Sequence, residues 1–210
     1  MTVEIERTFR EKCNGDDRLR LLLAQWDYDR QLVAQALQAV PVYFAHYSRH
    51  DVSHSNTILV QITRVLGEDR IAKLSATDLW LLLEAAYWHD IGMVIDDRTA
   101  REWLGTDDFG KHLDALISGQ DPEIAAAADL LRRRSLSDLN QALWPIQVRK
   151  ALTYVLAELA RRSHAERSGQ LVRRPEMLNL ASPRVLIPER LFRWLSEVTE
   201  SHGRSIHAVM

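Results

Sequence analysis

The chain is 210 residues long and 46% hydrophobic, enough to bury a core without disulfide staples, and its 27 basic and 29 acidic residues leave a net charge of −2. That balance excludes a bulk electrostatic drive toward nucleic acid or an anionic membrane, so any recognition of phosphate must be local. A single cysteine, Cys13, excludes an internal disulfide and a cysteine-built zinc finger, and it suits a reducing compartment.

Residues 1–7 carry no apolar signal segment, and the longest apolar run is broken by Glu84, so the expectation is a soluble, cytoplasmic protein without a membrane span. Gly and Pro are sparse, and the segments between them follow helical periodicity with little strict alternation. The predicted fold is all-α. Asp16 and Asp17 are placed to cap a helix containing Leu19, Leu21, Leu22, Leu23 and Trp26, which continues or restarts over residues 28–40 before Pro41. Residues 1–40 are expected to form an N-terminal helical layer on a core built by residues 41–210.

Over residues 46–66 the apolar positions Ile58, Leu59, Ile62, Val65 and Leu66 share one helical face, and Gly67 supplies a stop. On that helix His50 and His54 are four apart, hence neighbours. Ser75 or Thr77 then caps a helix whose residues 79–88 are apolar on nearly every side and which closes on His89-Asp90, with Ile91-Gly92 next. Such a segment belongs in an interior, where an ionised carboxylate is costly unless something positive or hydrogen-bonding compensates it.

Residues 96–140 read as shorter amphipathic pieces around Trp103, over 109–117 and over 122–131, a lid or insert at one end of the core. Pro145 opens a long helix with Val148, Leu152, Val155 and Leu159 as its apolar stripe and Arg161, Arg162 and His164 at its far end. Residues 168–188, with one Gly and three Pro, are expected to be irregular apart from a short turn at 176–180. A last helix starts near Pro188, buries Leu191, Phe192, Leu195 and Val198, and runs to His202-Gly203. His46, His112 and His207 read as surface residues, and Arg132-Arg133-Arg134 and Arg173-Arg174 as solvated faces.

The chemistry gathers at the doublet. Adjacent helical side chains diverge, but at a helix end stopped by glycine His89 and Asp90 can both turn toward one ion. Imidazole and carboxylate are ligands preferred by zinc, iron and manganese, so a dispersed His/Asp set points to hydrolytic chemistry. The competing reading makes Asp90 a helix-terminal acid paired with an arginine, and His164 and His202 cations at helix C-termini.

Taken together, His54-Ser55 on a helix, Trp88-His89-Asp90-Ile91-Gly92, and a distant His in a basic helix end resemble the HD superfamily of metal-dependent phosphohydrolases. The family pattern is a His, a His-Asp doublet, sometimes two further His, and a closing Asp on a final helix. The resemblance runs from about His46 to the C-terminus and implies an HD-domain-like helical bundle with an inserted or peripheral helical layer. It makes His54 the first ligand, His89 and Asp90 the doublet with the catalytic role, and His164 and His202 the additional ligands. One or two divalent ions (Mn, Mg, Fe, Zn or Ni) would be bound, with Asp90 bridging where there are two.

Arg49, Arg161, Arg162 and Arg167 flank these ligands and, with His50, are the residues expected to contact the phosphate of a small substrate, a nucleotide above all. A narrower resemblance, to HD modules at the front of longer proteins with an Hsp90-type ATPase region, implies a downstream ATPase domain. The closing Asp belongs on a helix after His202, whereas residues 201–210 hold no acidic side chain. The expectation is a chain cut before its final helix, or an HD sensor or interaction module that binds a nucleotide or partner without turnover.

Overall fold

A computed structural model describes residues 3–44, 52–133 and 145–201. The helices are α1 (Glu4–Asn14), α2 (Arg20–Leu37), α3 (Val40–Tyr43), α4 (Val52–Leu66), α5 (Glu68–Lys73), α6 (Ala76–Trp88), α7 (Asp97–Leu104), α8 (Asp107–Ile117), α9 (Pro122–Arg132), α10 (Ile146–Arg173) and α11 (Glu189–Ser201). No strand occurs among the described residues, so the fold is all-α.

Helix α6 is the centre of the assembly, and its sequence shows why. It starts at a capping box in which Ser75 accepts from the Asp78 backbone N–H while the Asp78 carboxylate accepts from that of Ser75. Its apolar residues point in every direction, and α1, α2, α4 and α11 pack around it. Leu79, Trp80, Leu83 and Trp88 have no exposed surface. Each buried leucine contributes about 1.5–3 kcal/mol by removal from water.

The surrounding helices are amphipathic and bury one stripe each: Ile5, Phe9 and Cys13 of α1, Leu22, Trp26, Val33 and Leu37 of α2, Leu191, Phe192 and Leu195 of α11. Edge-on aromatic contacts lock two of them to α6, Trp26 against Tyr87 at 5.2 Å and Phe192 against Trp80 at 5.9 Å between ring centres.

The chain divides into two compact units. One comprises Met1–Pro41, Ser48–Val94 and His164–Met210, and the other Val42–Tyr47 and Ile95–Ser163. Helices α1 and α2 therefore belong to the same unit as the His-Asp doublet. In the second unit α7 packs on α8 and α8 on α9, each opened by a side-chain cap from Asp96, Thr106 or Asp121. The division falls inside α10.

Three local expectations are corrected. Helix α10 does not end near His164, ahead of an irregular segment from residue 168, but continues to Arg173, leaving only residues 174–188 irregular apart from a 3-10 turn at Pro175–Leu178. Leu171 and Val172 are fully buried there, and the glycine is accommodated because a Cβ at position 169 would lie 2.2 Å from the Glu200 side chain. Val198 of α11, expected to be buried, is 48% exposed, while of the two caps left open for α6 the structure uses Ser75. His112, expected at the surface, is buried in the second unit, where burial first and the Arg162 charge second lower its pKa.

A polar network also lies inside the first unit. Gln25, Asp29 and Glu84 are fully buried; Ser182 donates to Asp29, Gln25 donates to it at 2.8 Å, and Arg184 reaches it at 3.2 Å. The Arg184 guanidinium lies 4.2 Å from the Phe192 ring centre and 5.1 Å from that of Trp88. Glu84 accepts from Trp88 Nε1 at 2.9 Å, and burial, reinforced by the Asp29 charge and opposed by Arg184, raises its pKa well above the ordinary value. Among the described residues no helix is long and apolar enough to cross a membrane.

Candidate metal centre

The end of α6 delivers the doublet. His89 caps the helix, still with helical backbone angles, and Asp90 begins a turn that becomes a 3-10 segment at Ile91–Met93, so Asp90 leaves the helical spiral and the two side chains meet. His89 Nε2 lies 2.9 Å from Asp90 Oδ2. The other ring nitrogen, Nδ1, is 3.2 Å from the Ala86 carbonyl oxygen, which can only accept; that bond puts the Nδ1 proton on the backbone and turns Nε2 toward Asp90.

Helix α4 brings the next ligand. His54 Nε2 stands 3.6 Å from the same Asp90 Oδ2, and its ring centre is 5.3 Å from that of His89. The approach of α4 is held by Leu59, buried in the core, and by Tyr87 Oη donating to Asn56 Oδ1 at 3.2 Å, a bond that ties the turn after His54 to α6. One donor atom each from His54, His89 and Asp90 lie within 4.8 Å of one another.

His164 arrives from α10 on the opposite oxygen, with Nε2 3.8 Å from Asp90 Oδ1. Asp90 is thus surrounded by three imidazoles while its side chain is only 5% exposed; His89 is 14%, His164 23% and His54 35% exposed. The centre is sealed on the α6 side and open on the side of His54 and His164.

These residues fit a divalent metal. With the Nδ1 proton directed at Ala86, Nε2 of His89 and Oδ2 of Asp90 face each other at 2.9 Å across a gap that calls for positive charge, and His54 aims a third donor at it. Imidazole with carboxylate is a donor set for zinc, iron, manganese or nickel.

Other expected site residues are distributed as follows. Arg49, His50 and His202 lie outside the described residues. Arg161 and Arg162 are exposed and belong to the second unit, where Arg161 makes a two-bond ion pair with Glu158. Arg167 turns Nη1 onto the backbone carbonyls of Gly92 and Val94, 2.6 Å from each.

Sequence reasoning missed Ser168, fully buried, whose Oγ donates to the His89 carbonyl at 2.6 Å and accepts from the Gly92 N–H at 2.9 Å. The signal available was spacing: Ser168 is one helical turn past His164 and shares its face.

Comparison with known proteins agrees with this geometry. The model of the HD-CE family, an HD-type domain, matches residues 44–209, a span that includes every ligand candidate. No curated protein and no solved structure matches the chain. With most of its length covered and a His-His-Asp centre at the expected positions, the chain belongs to the HD-CE family.

Proposed function

We propose that this chain is a metal-dependent phosphohydrolase acting on a small phosphate ester, with nucleotides the first class to test. The observation that carries the reading is the convergence of His54, His89 and Asp90 donors within 4.8 Å at the buried end of α6, inside the span that the HD-CE family model matches. His54, His89 and Asp90 would hold the ion, with His164 completing the set from the Oδ1 side of Asp90. A divalent ion bound there supplies a water whose pKa is lowered toward about 7 and an acid that polarises the phosphoryl oxygen.

The chain's own residues do the rest. Asp90, almost wholly removed from solvent, keeps its carboxylate oriented by the three imidazoles around it. The more open side, at His54 and His164, is where a phosphate ester can approach.

A second reading is a binding module of the same fold that senses a nucleotide or partner without turning it over. Among the described residues the donor set holds one carboxylate, Asp90, where the HD pattern adds a closing Asp, and that favours this reading.

Elemental analysis of the purified chain and a nucleotide and phosphate-ester panel with added Mn2+ separate these outcomes. Stoichiometric metal, lost in Asp90→Ala, with turnover that is also lost, is the expected result. Metal and nucleotide binding without turnover selects the second reading. A wild-type chain that holds no metal and hydrolyses nothing in the presence of Mn2+ ends the first.

A further inference from the structure

The segment that follows the doublet is fastened to α10 by two consecutive side chains, and their placement relative to His164 is informative. Helix α6 ends with carbonyls that have no partner within the helix. One of them, His89 O, accepts from Ser168 Oγ at 2.6 Å, and the same hydroxyl oxygen accepts from the Gly92 N–H at 2.9 Å. Arg167 Nη1 donates to Gly92 O and to Val94 O, both at 2.6 Å, as charge-assisted bonds. The anchored backbone atoms, at 89, 92 and 94, bracket Asp90 on both sides.

Contact at this point is backbone against backbone. A Cβ at Gly92 would lie 2.1 Å from His164 O and 2.9 Å from Ser168 N, so the turn of α10 from His164 to Ser168 rests directly on the loop. Because residues i and i+4 share a helical face, the turn that is held is the turn that presents His164 to Asp90 Oδ1.

We infer that Arg167 and Ser168 are positioning residues of the metal centre: they supply no ligand atom but lock the His89–Val94 loop onto α10, so that His164 is registered against Asp90. This rests on the metal reading above. It also reassigns Arg167, whose Nη1 bonds join it to the protein's own backbone.

The test is a Co2+ titration of the full chain, read by affinity and by the visible spectrum of the bound ion, which reports its coordination. Ser168→Ala is expected to weaken Co2+ binding roughly 10–100-fold, the range for residues that orient ligands. Its spectrum should shift toward that of His164→Ala while the helical circular dichroism stays as in the wild type. The double variant Ser168→Ala/His164→Ala should bind no more than about 2-fold more weakly than His164→Ala alone, because residues acting through one another are not additive.

Should Ser168→Ala fail to fold, Arg167→Lys, which keeps the charge but loses the guanidinium geometry, takes its place in the same cycle. Losses that multiply in the double variant, or a wild-type affinity and spectrum in the single one, overturn the assignment while leaving the metal centre intact. Absence of Co2+ uptake by the wild type overturns the metal reading, and this inference with it.

Discussion

Gly92 is required by space, not by backbone conformation. The nearest atoms to a Cβ at this position are the His164 carbonyl and the Ser168 amide, both main chain of α10, so neither can swing aside. Gly92→Ala should therefore destabilise the protein by about 2–3 kcal/mol, the upper range for overpacking a tight contact, and lower metal affinity as His164 is displaced. Gly110, inside α8 with nothing nearer than 3.8 Å, is the control: Gly110→Ala should stabilise by about 0.5–1 kcal/mol, as expected for removing a glycine from a helix interior. Chemical denaturation of both variants checks the contrast, and equal shifts would mean the α10 contact at Gly92 is looser than described. Nothing in the order of residues around Gly92 distinguishes it from a glycine that merely stops a helix.

At the scale of the element, α6 shows how a sequence signal can be clear in kind and open in detail. Its apolar run on every face announces a buried helix, and the structure surrounds it on four sides. Which residue opens it was ambiguous between Ser75 and Thr77, because both offer a hydroxyl. Only Ser75 has a partner three residues on, Asp78, whose carboxylate can return the bond. Ser75→Ala should cost about 1 kcal/mol, read from the denaturant midpoint, and Thr77→Ala much less. A larger loss at Thr77 would place the cap wrongly. Helix α10 gives the opposite lesson: residues from 168 onward read as irregular, yet the helix runs on to Arg173, with Leu171 and Val172 buried and the Glu200 side chain of α11 filling the space beside Gly169. Packing between distant segments overrides local propensity there, and no local rule anticipates it.

At the scale of the whole chain, the first unit holds a buried carboxyl that makes stability depend on pH. The pKa of Glu84 is raised in the folded state by burial and then by Asp29, while in the unfolded chain it is ordinary. Below the unfolded value both states are protonated and Glu84 costs nothing. As pH rises through that value the unfolded chain releases its proton first, so stability falls with increasing pH until the folded carboxyl ionises too. Asp29, likewise raised, acts in the same direction. Glu84→Gln retains an acceptor for Trp88 Nε1 and removes the titration. Thermal unfolding from about pH 5 to 8 should show the variant gaining stability relative to the wild type as pH rises. A constant or shrinking difference would mean that Glu84 is not held protonated.

What the residues determined by themselves was the class of the molecule and the candidates for its metal donors. Helical periodicity with few Gly and Pro is a local property, so the all-α fold was legible, as was the burial of α6 and the special position of His89-Asp90 at its end. Tertiary structure alone decided that His54, on α4, shares Oδ2 of Asp90 with His89, and that His164, from α10, faces Oδ1. It alone exposed the Asp29–Glu84–Arg184 network and the Arg167–Ser168 fastening, whose members lie 55 or more residues from their partners in the chain and make their bonds only after the helices pack. Periodicity encodes which face of a helix is buried; the distance between two atoms on different helices depends on how every intervening side chain fills space, and that is a property of the packed molecule.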